Sequence, residues 1–307
     1  MKKLFIFVAI LAVLAGCSQN ETVKVAETNY ISFTNAFIDN ATRADNTITT
    51  DLLTGFDVWA HNSSTAIMRK VTVTKQLGTW TYDEKKEWEE GELYYFHAFA
   101  PVGVIASLNP YPATTGDRGL PVITFTNSGN KDFIYATEDR EQPLKIDAPL
   151  NTSPVVLTFK HLLSRVKFTF ENKVPENITL EVLNVKITDA GQIAKIDLNK
   201  DFTAWAWEAP TSTAPFLFGN TPLIVKDKSA KAENVLFMLP EASREYTITF
   251  DIRYEGNVVN KEVKITHEFK MGRSYNFKAV INEVAPFVPT IEFEVNEVED
   301  WLTDDNV

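Results

Sequence analysis

One cysteine, Cys17, stands among 307 residues, so no disulfide can form within the chain and its stability must rest on packing. Four histidines at His61, His97, His161 and His267 are too scattered to suggest a metal-ligand cluster, and no metal or other cofactor is expected. Positive charge is in deficit: 30 Lys and Arg against 41 Asp and Glu give a formal net charge of −11. A polyanion is repelled by phosphate, which argues against nucleic acid and anionic lipid headgroups as partners. The longest apolar run, Leu4 to Leu14, is far short of the roughly 20 residues a membrane-spanning helix needs. Phosphate loop, dinucleotide fingerprint, nucleophile elbow and calcium loop are all missing, and no catalytic residue stands out. The chain reads as a non-enzyme.

What is present is apolar and aromatic. Hydrophobic residues make up 44% and aromatics 12%, enough to bury two cores, and the length favours two domains. Met1-Lys2-Lys3 and the apolar run form a signal peptide over residues 1–16. Leu14-Ala15-Gly16-Cys17 resembles the bacterial lipoprotein lipobox, in which the chain is cut between Gly16 and Cys17. Only a thiol can take the diacylglyceryl thioether, and two or three acyl chains anchor firmly. Cys17 is therefore the expected lipidation site, with residues 17–28 as a polar tether and the outer membrane as the anchoring surface.

From Tyr30 onward the period is two. Tyr246, Ile248, Phe250 and Ile252 alternate with Thr247, Thr249, Asp251 and Arg253, and the turn at Glu255-Gly256-Asn257 makes a hairpin with the next segment. Val166, Phe168 and Phe170 alternate likewise, while Leu93–Ala100 is apolar on both faces and should lie centrally in its sheet. Many short strands without convincing helices predict an all-β chain of antiparallel β-sandwiches. Three prolines between Pro143 and Pro154 place a boundary there: a first domain over 29–150, a second over 151–285 and a tail over 286–307.

Three patches invite a chemical reading. His267-Glu268-Phe269-Lys270-Met271 lacks the second histidine of a zinc-protease helix. Asp83–Glu90 could hold paired carboxylates but reads as a solvated loop. Trp80, Trp88, Trp205 and Trp207 could stack on sugars, although core packing is the simpler account.

Several segments in order resemble the fimbrillin family, the pilus subunits of Gram-negative gut and oral anaerobes. They are the lipobox at Cys17, Ile31-Ser32-Phe33, Ala41-Thr42-Arg43-Ala44, Leu53–Ala60, Tyr95–Pro101, Lys131–Thr137, Leu157–Phe170, Gly272–Phe277 and Val298–Trp301. The resemblance implies two transthyretin-like β-sandwich domains in tandem, a cell-surface lipoprotein, and other pilus subunits as partners. It also implies cleavage by an arginine-specific protease and assembly by strand exchange. Carried onto this sequence, Tyr30, Ile31 and Phe33 mark the leaving strand, and the cut falls between Arg43 and Ala44. Ile291, Phe293 and Val295, which share one parity, mark a donor strand over residues 290–298. The alternative is a surface lipoprotein that never polymerises and binds a glycan or host receptor. Exposed Trp205 and Trp207 and a tail docked on its own domain would be its marks.

Overall fold

A computed structural model describes residues 29–38, 50–62, 64–109, 119–137, 144–145, 154–174, 178–199, 205–226, 229–285 and 288–298. All regular structure among them is β. The first strands are β1 (Phe33–Ile38), β2 (Gly55–His61), β3 (Ala66–Gln76), β4 (Thr79–Thr81) and β5 (Leu93–Ala100). Next come β6 (Ile123–Thr126), β7 (Ile134–Thr137), β8 (Leu144–Lys145) and β9 (Val155–His161). Then follow β10 (Ser164–Asn172), β11 (Leu180–Ile196), β12 (Ser212–Leu217), β13 (Leu223–Val225), β14 (Ala230–Lys231) and β15 (Leu236–Met238). Two long hairpin pairs close the chain: β16 (Glu241–Tyr254) with β17 (Asn257–Phe269), and β18 (Ser274–Ala285) with β19 (Val288–Val298).

The first unit is a single sheet in the order β1-β9-β7-β5-β2-β3-β4, with β8 beside β5. It coils until its two edges, β1 and β4, come into contact, making a sandwich from one sheet. Phe33, Phe56, Phe96, Leu157 and Phe159 fill its interior. The second unit faces two sheets across another core: β12-β11-β16-β17, joined by β6 and β13, and β14-β10-β18-β19, joined by β15. Tyr246, Ile248, Phe250 and Ile252 line this core, as their alternation requires. At the turn, Glu255 and Gly256 both have positive φ, 47° and 80°, the conformation a tight two-residue hairpin demands.

A third cluster joins the units. Trp59, Phe99, Phe133 and Tyr135 face away from the first core and meet Ile196, Leu198, Trp205, Phe237 and Leu239 of the second unit. That explains why Leu93–Ala100 is apolar on both faces: β5 lies between β7 and β2 and is covered by one core on each side.

Two expectations need correction. The boundary is not at 150/151, because β9 returns to the first sheet between β1 and β7, where Val155, Leu157 and Phe159 complete the first core. The chain crosses over at Leu162-Leu163, both fully buried in the joining cluster, while β6 pairs with β11 of the second unit. The sheets are also not wholly antiparallel, since β1 with β9 and β10 with β18 run parallel.

Candidate assembly site at the terminal strands

The N-terminal segment occupies a groove with two walls. On one side Val155 N–H donates to the Ser32 carbonyl at 2.7 Å, and β1 continues along β9. On the other, Ile31 N–H donates to the Lys86 carbonyl at 2.7 Å and Trp88 N–H to the Asn29 carbonyl at 2.9 Å. The Tyr82 hydroxyl ties segment to wall, donating to the Ile31 carbonyl at 2.7 Å and accepting from Lys86 N–H at 3.2 Å. Burial raises the Tyr82 pKa above its ordinary value, and the Lys86 hydrogen bond partly offsets this, so the phenol stays a donor at neutral pH. Residues 29–33 thus close the coiled sheet.

The groove also has a sequence-specific floor. Ile31 is 1% exposed and Phe33 5%, while Tyr30 between solvent and sheet is 39% exposed. The Phe33 ring lies 5.9 Å from Phe56 and Tyr82 and 6.1 Å from Phe96, all edge-on. Burying an isoleucine and a phenylalanine contributes about 3–6 kcal/mol before ordering costs. Two flaws limit the fit. The pairing of β1 with β9 slips by a bulge between Thr34 and Phe37. Among the described residues, the buried Asn29 Oδ1 and Trp88 Nε1 have no hydrogen-bond partner, which costs desolvation energy.

The C-terminal segment is an edge strand. β19 pairs antiparallel with β18 from Val298 opposite Ser274 to Val288 opposite Ala285, and with no other strand among the described residues. Ile291 packs half-buried against the second core. Phe293 stands opposite Ala279 and Val295 opposite Phe277 in the ladder.

The remaining expected site residues fall in two groups. Gly16, Cys17, Arg43 and Ala44 lie outside the described residues. The tryptophans are placed, and none forms an exposed platform. Trp80 and Trp88 are in the first core. Trp205 is 7% exposed with its ring 5.0 Å from Tyr135, and Trp207 is half-buried, its indole N–H donating to the Leu162 carbonyl at 2.7 Å. Both help to join the units, which is why they share a parity and an apolar setting.

The histidines are less scattered in space than in sequence. His61 and His97 stack with centroids 5.7 Å apart, His97 bonds the Tyr135 hydroxyl at 2.8 Å, and His161 meets Asp132 at 2.8 Å. No group of three or more His, Cys, Asp or Glu among the described residues is arranged to hold a metal ion. Sequence reasoning missed the second wall of the groove. Lys86–Trp88 lies inside the acidic stretch, and the buried Trp88 among exposed charges was the one signal that this loop does more than face water.

The chain matches the model of the fimbrillin-like family over residues 42–301. No curated protein matches it. Among solved structures it is similar to a candidate cell adhesion protein of Bacteroides ovatus, with a TM-score of 0.52 and 13% identity over 90% of this chain and 98% of that one. A counterpart from Bacteroides uniformis gives 0.50 and 15% over 90% and 99%, and one from Bacteroides fragilis 0.51 and 12% over 91% and 100%. At such identities these structures speak for the fold alone. The family match spans most of the sequence, and the chain belongs to the fimbrillin-like family.

Proposed function

We propose that this protein is a structural, non-catalytic subunit of a cell-surface fimbria that assembles by exchanging its first strand. Family membership supports a fimbrial or adhesin-like surface protein. In this proposal Cys17 carries the lipid that holds the chain to the outer membrane, and a cut between Arg43 and Ala44 frees the segment that carries Tyr30, Ile31 and Phe33. A strand of a neighbouring subunit then enters.

The observation that carries this is the two-walled groove. Removing residues 29–38 strips the partners from Val155 N–H, Trp88 N–H and the Lys86 carbonyl, takes from the Tyr82 hydroxyl the carbonyl it donates to, and empties the sites of Ile31 and Phe33. Unpaired backbone beside apolar pockets is a template for β-augmentation. A donor that buries three side chains there gains about 5–9 kcal/mol before ordering costs, plus about 1 kcal/mol for each ladder hydrogen bond. That is enough for a durable joint.

The test is to treat the purified protein with an arginine-specific protease, sequence the new N-terminus and measure particle size. A new terminus at Ala44 with growth of polymers is expected. A chain that stays uncut between folded regions, or is cut and stays monomeric, contradicts the reading. The docked β19 is what the non-polymerising alternative would show; its second mark, an exposed tryptophan pair, is not found.

A further inference from the structure

We infer that an open cleft on the second unit, lined by Trp207, Pro210, Pro240 and Met271, binds a neutral glycan. The inference does not depend on strand exchange; it adds a ligand site to whatever the terminal strands do. The cleft lies where residues 205–210 run past the start of β16 and the end of β17, and its volume of about 600 Å³ is that of a small-ligand site. Trp207 is half-buried there. Its indole N–H is spent on the Leu162 carbonyl, and its ring packs against Phe125 and Phe133 with centroids at 5.9 and 6.3 Å. What it offers the cleft is apolar ring surface held in one orientation.

The polar lining is fixed as firmly. Arg244 Nε donates to Glu241 Oε2 at 2.7 Å and its Nη1 to Asp189 Oδ2 at 3.1 Å, while its guanidinium carbon lies 3.8 Å from the centroid of the Tyr246 ring. Clamped in this way, the Glu241 carboxylate is a preorganised acceptor on the cleft wall. β11 makes room for it at Gly191, where a Cβ would collide with both the Glu241 carboxylate and Pro210.

The chemistry of the lining selects the ligand. A sugar ring has apolar C–H faces and hydroxyls that both donate and accept, so an immobile aromatic surface beside clamped charged groups suits it. One half-buried ring in a cleft supplies that surface, and no exposed tryptophan pair is needed. Glu208, Glu241 and Glu268 against Arg244 and Lys270 give the lining three negative charges to two positive, which disfavours sialic and uronic acids and phosphorylated ligands. An extended peptide is poorly served, because the backbone of the walls is already bonded. Glu208 N–H donates to the Lys195 carbonyl, Thr211 N–H to the Ile193 carbonyl, and Glu241 pairs with Phe269. Those groups offer no ladder for β-augmentation.

The test uses the uncut full chain, so its outcome is separate from polymer formation. Lactose, maltose and diacetylchitobiose serve as neutral probes and sialyllactose as the anionic one, each titrated by isothermal calorimetry. At least one neutral disaccharide should bind, and sialyllactose more weakly than it. Trp207→Ala should weaken that binding about tenfold or more. Because this change also removes the hydrogen bond to Leu162, Ala209→Trp is its companion. Ala209 is an exposed residue of the lining, so a bulky ring there fills the cleft from outside the core. It should abolish binding while leaving the unfolding midpoint unchanged. The inference is overturned if no neutral probe binds, if sialyllactose binds as well as the best of them, or if binding survives Ala209→Trp.

Discussion

The two terminal strands are both edge strands, yet they are held in opposite ways. β1 is paired in parallel with β9, interrupted by a bulge, and clamped from the far side by Lys86–Trp88 and Tyr82. β19 is paired antiparallel along one side only, in a long hairpin with its immediate predecessor. β1 is integral to a core, with Phe33 set among three aromatic rings, while β19 sits at the edge of its sheet and packs Ile291 half-buried against the second core. The first segment is bonded along both sides and the last along one, so the first is the one whose loss leaves backbone groups on two walls without partners.

The sharpest way to break this comparison is at Phe33. Phe33→Ala in the uncut chain should lower the unfolding free energy by about 3–5 kcal/mol in denaturant titration, through the lost side chain and the cavity left among Phe56, Tyr82 and Phe96. A loss below about 1 kcal/mol would show that the first core does not depend on its terminal strand. Ending the chain at Pro289 should cost much less in the same titration, because β18 keeps its parallel partner β10. Polymers should nevertheless disappear; if they persist, β19 is not the donor.

Tyr82→Phe probes the clamp itself. It removes the hydroxyl bonded to both Ile31 and Lys86 and should cost about 1–2 kcal/mol, with faster hydrogen exchange at the Ile31 amide and earlier release of the cut segment. The smallest expected effect lies on the β19 side of the molecule. The Lys278 hydrogen bond, foremost, holds the Glu171 carboxyl below its ordinary value, with Lys173 adding a lesser attraction. A depressed carboxylate pKa stabilises the fold above the unfolded-state value and loses that contribution as pH falls through the folded one. Lys278→Met should therefore weaken the protein slightly at neutral pH and flatten its acid dependence below about pH 4.5. An unchanged slope would show that this half-exposed pair does not matter.

Much of this was legible in the sequence because period-two alternation maps directly onto buried faces. Tyr246–Ile252, the Glu255-Gly256 turn and the doubly apolar Leu93–Ala100 all landed where alternation put them. The domain boundary was misread because proline content marks where a ladder is interrupted, not which sheet the next strand joins. Val155–His161 returns to the first core across a long sequence separation that no local pattern records. The tryptophans were legible only as apolar; that Trp205 and Trp207 hold two units together depended on contacts with Tyr135 and Leu162, from distant parts of the chain. At the site, Ile31 and Phe33 were visible as one face of a strand, but the wall at Lys86–Trp88 was hidden because its contribution is backbone, which side-chain identity does not encode.

The central claim is that one groove is vacated and refilled, and amide hydrogen exchange at Trp88 and Val155 tests it most directly. Both N–H groups donate to the N-terminal segment, to the carbonyls of Asn29 and Ser32. The account predicts protection in the intact chain, loss of protection in the cut monomer once its first strand is released, and recovery in the polymer. Protection unchanged by cutting and release, or absent in the polymer, would contradict it.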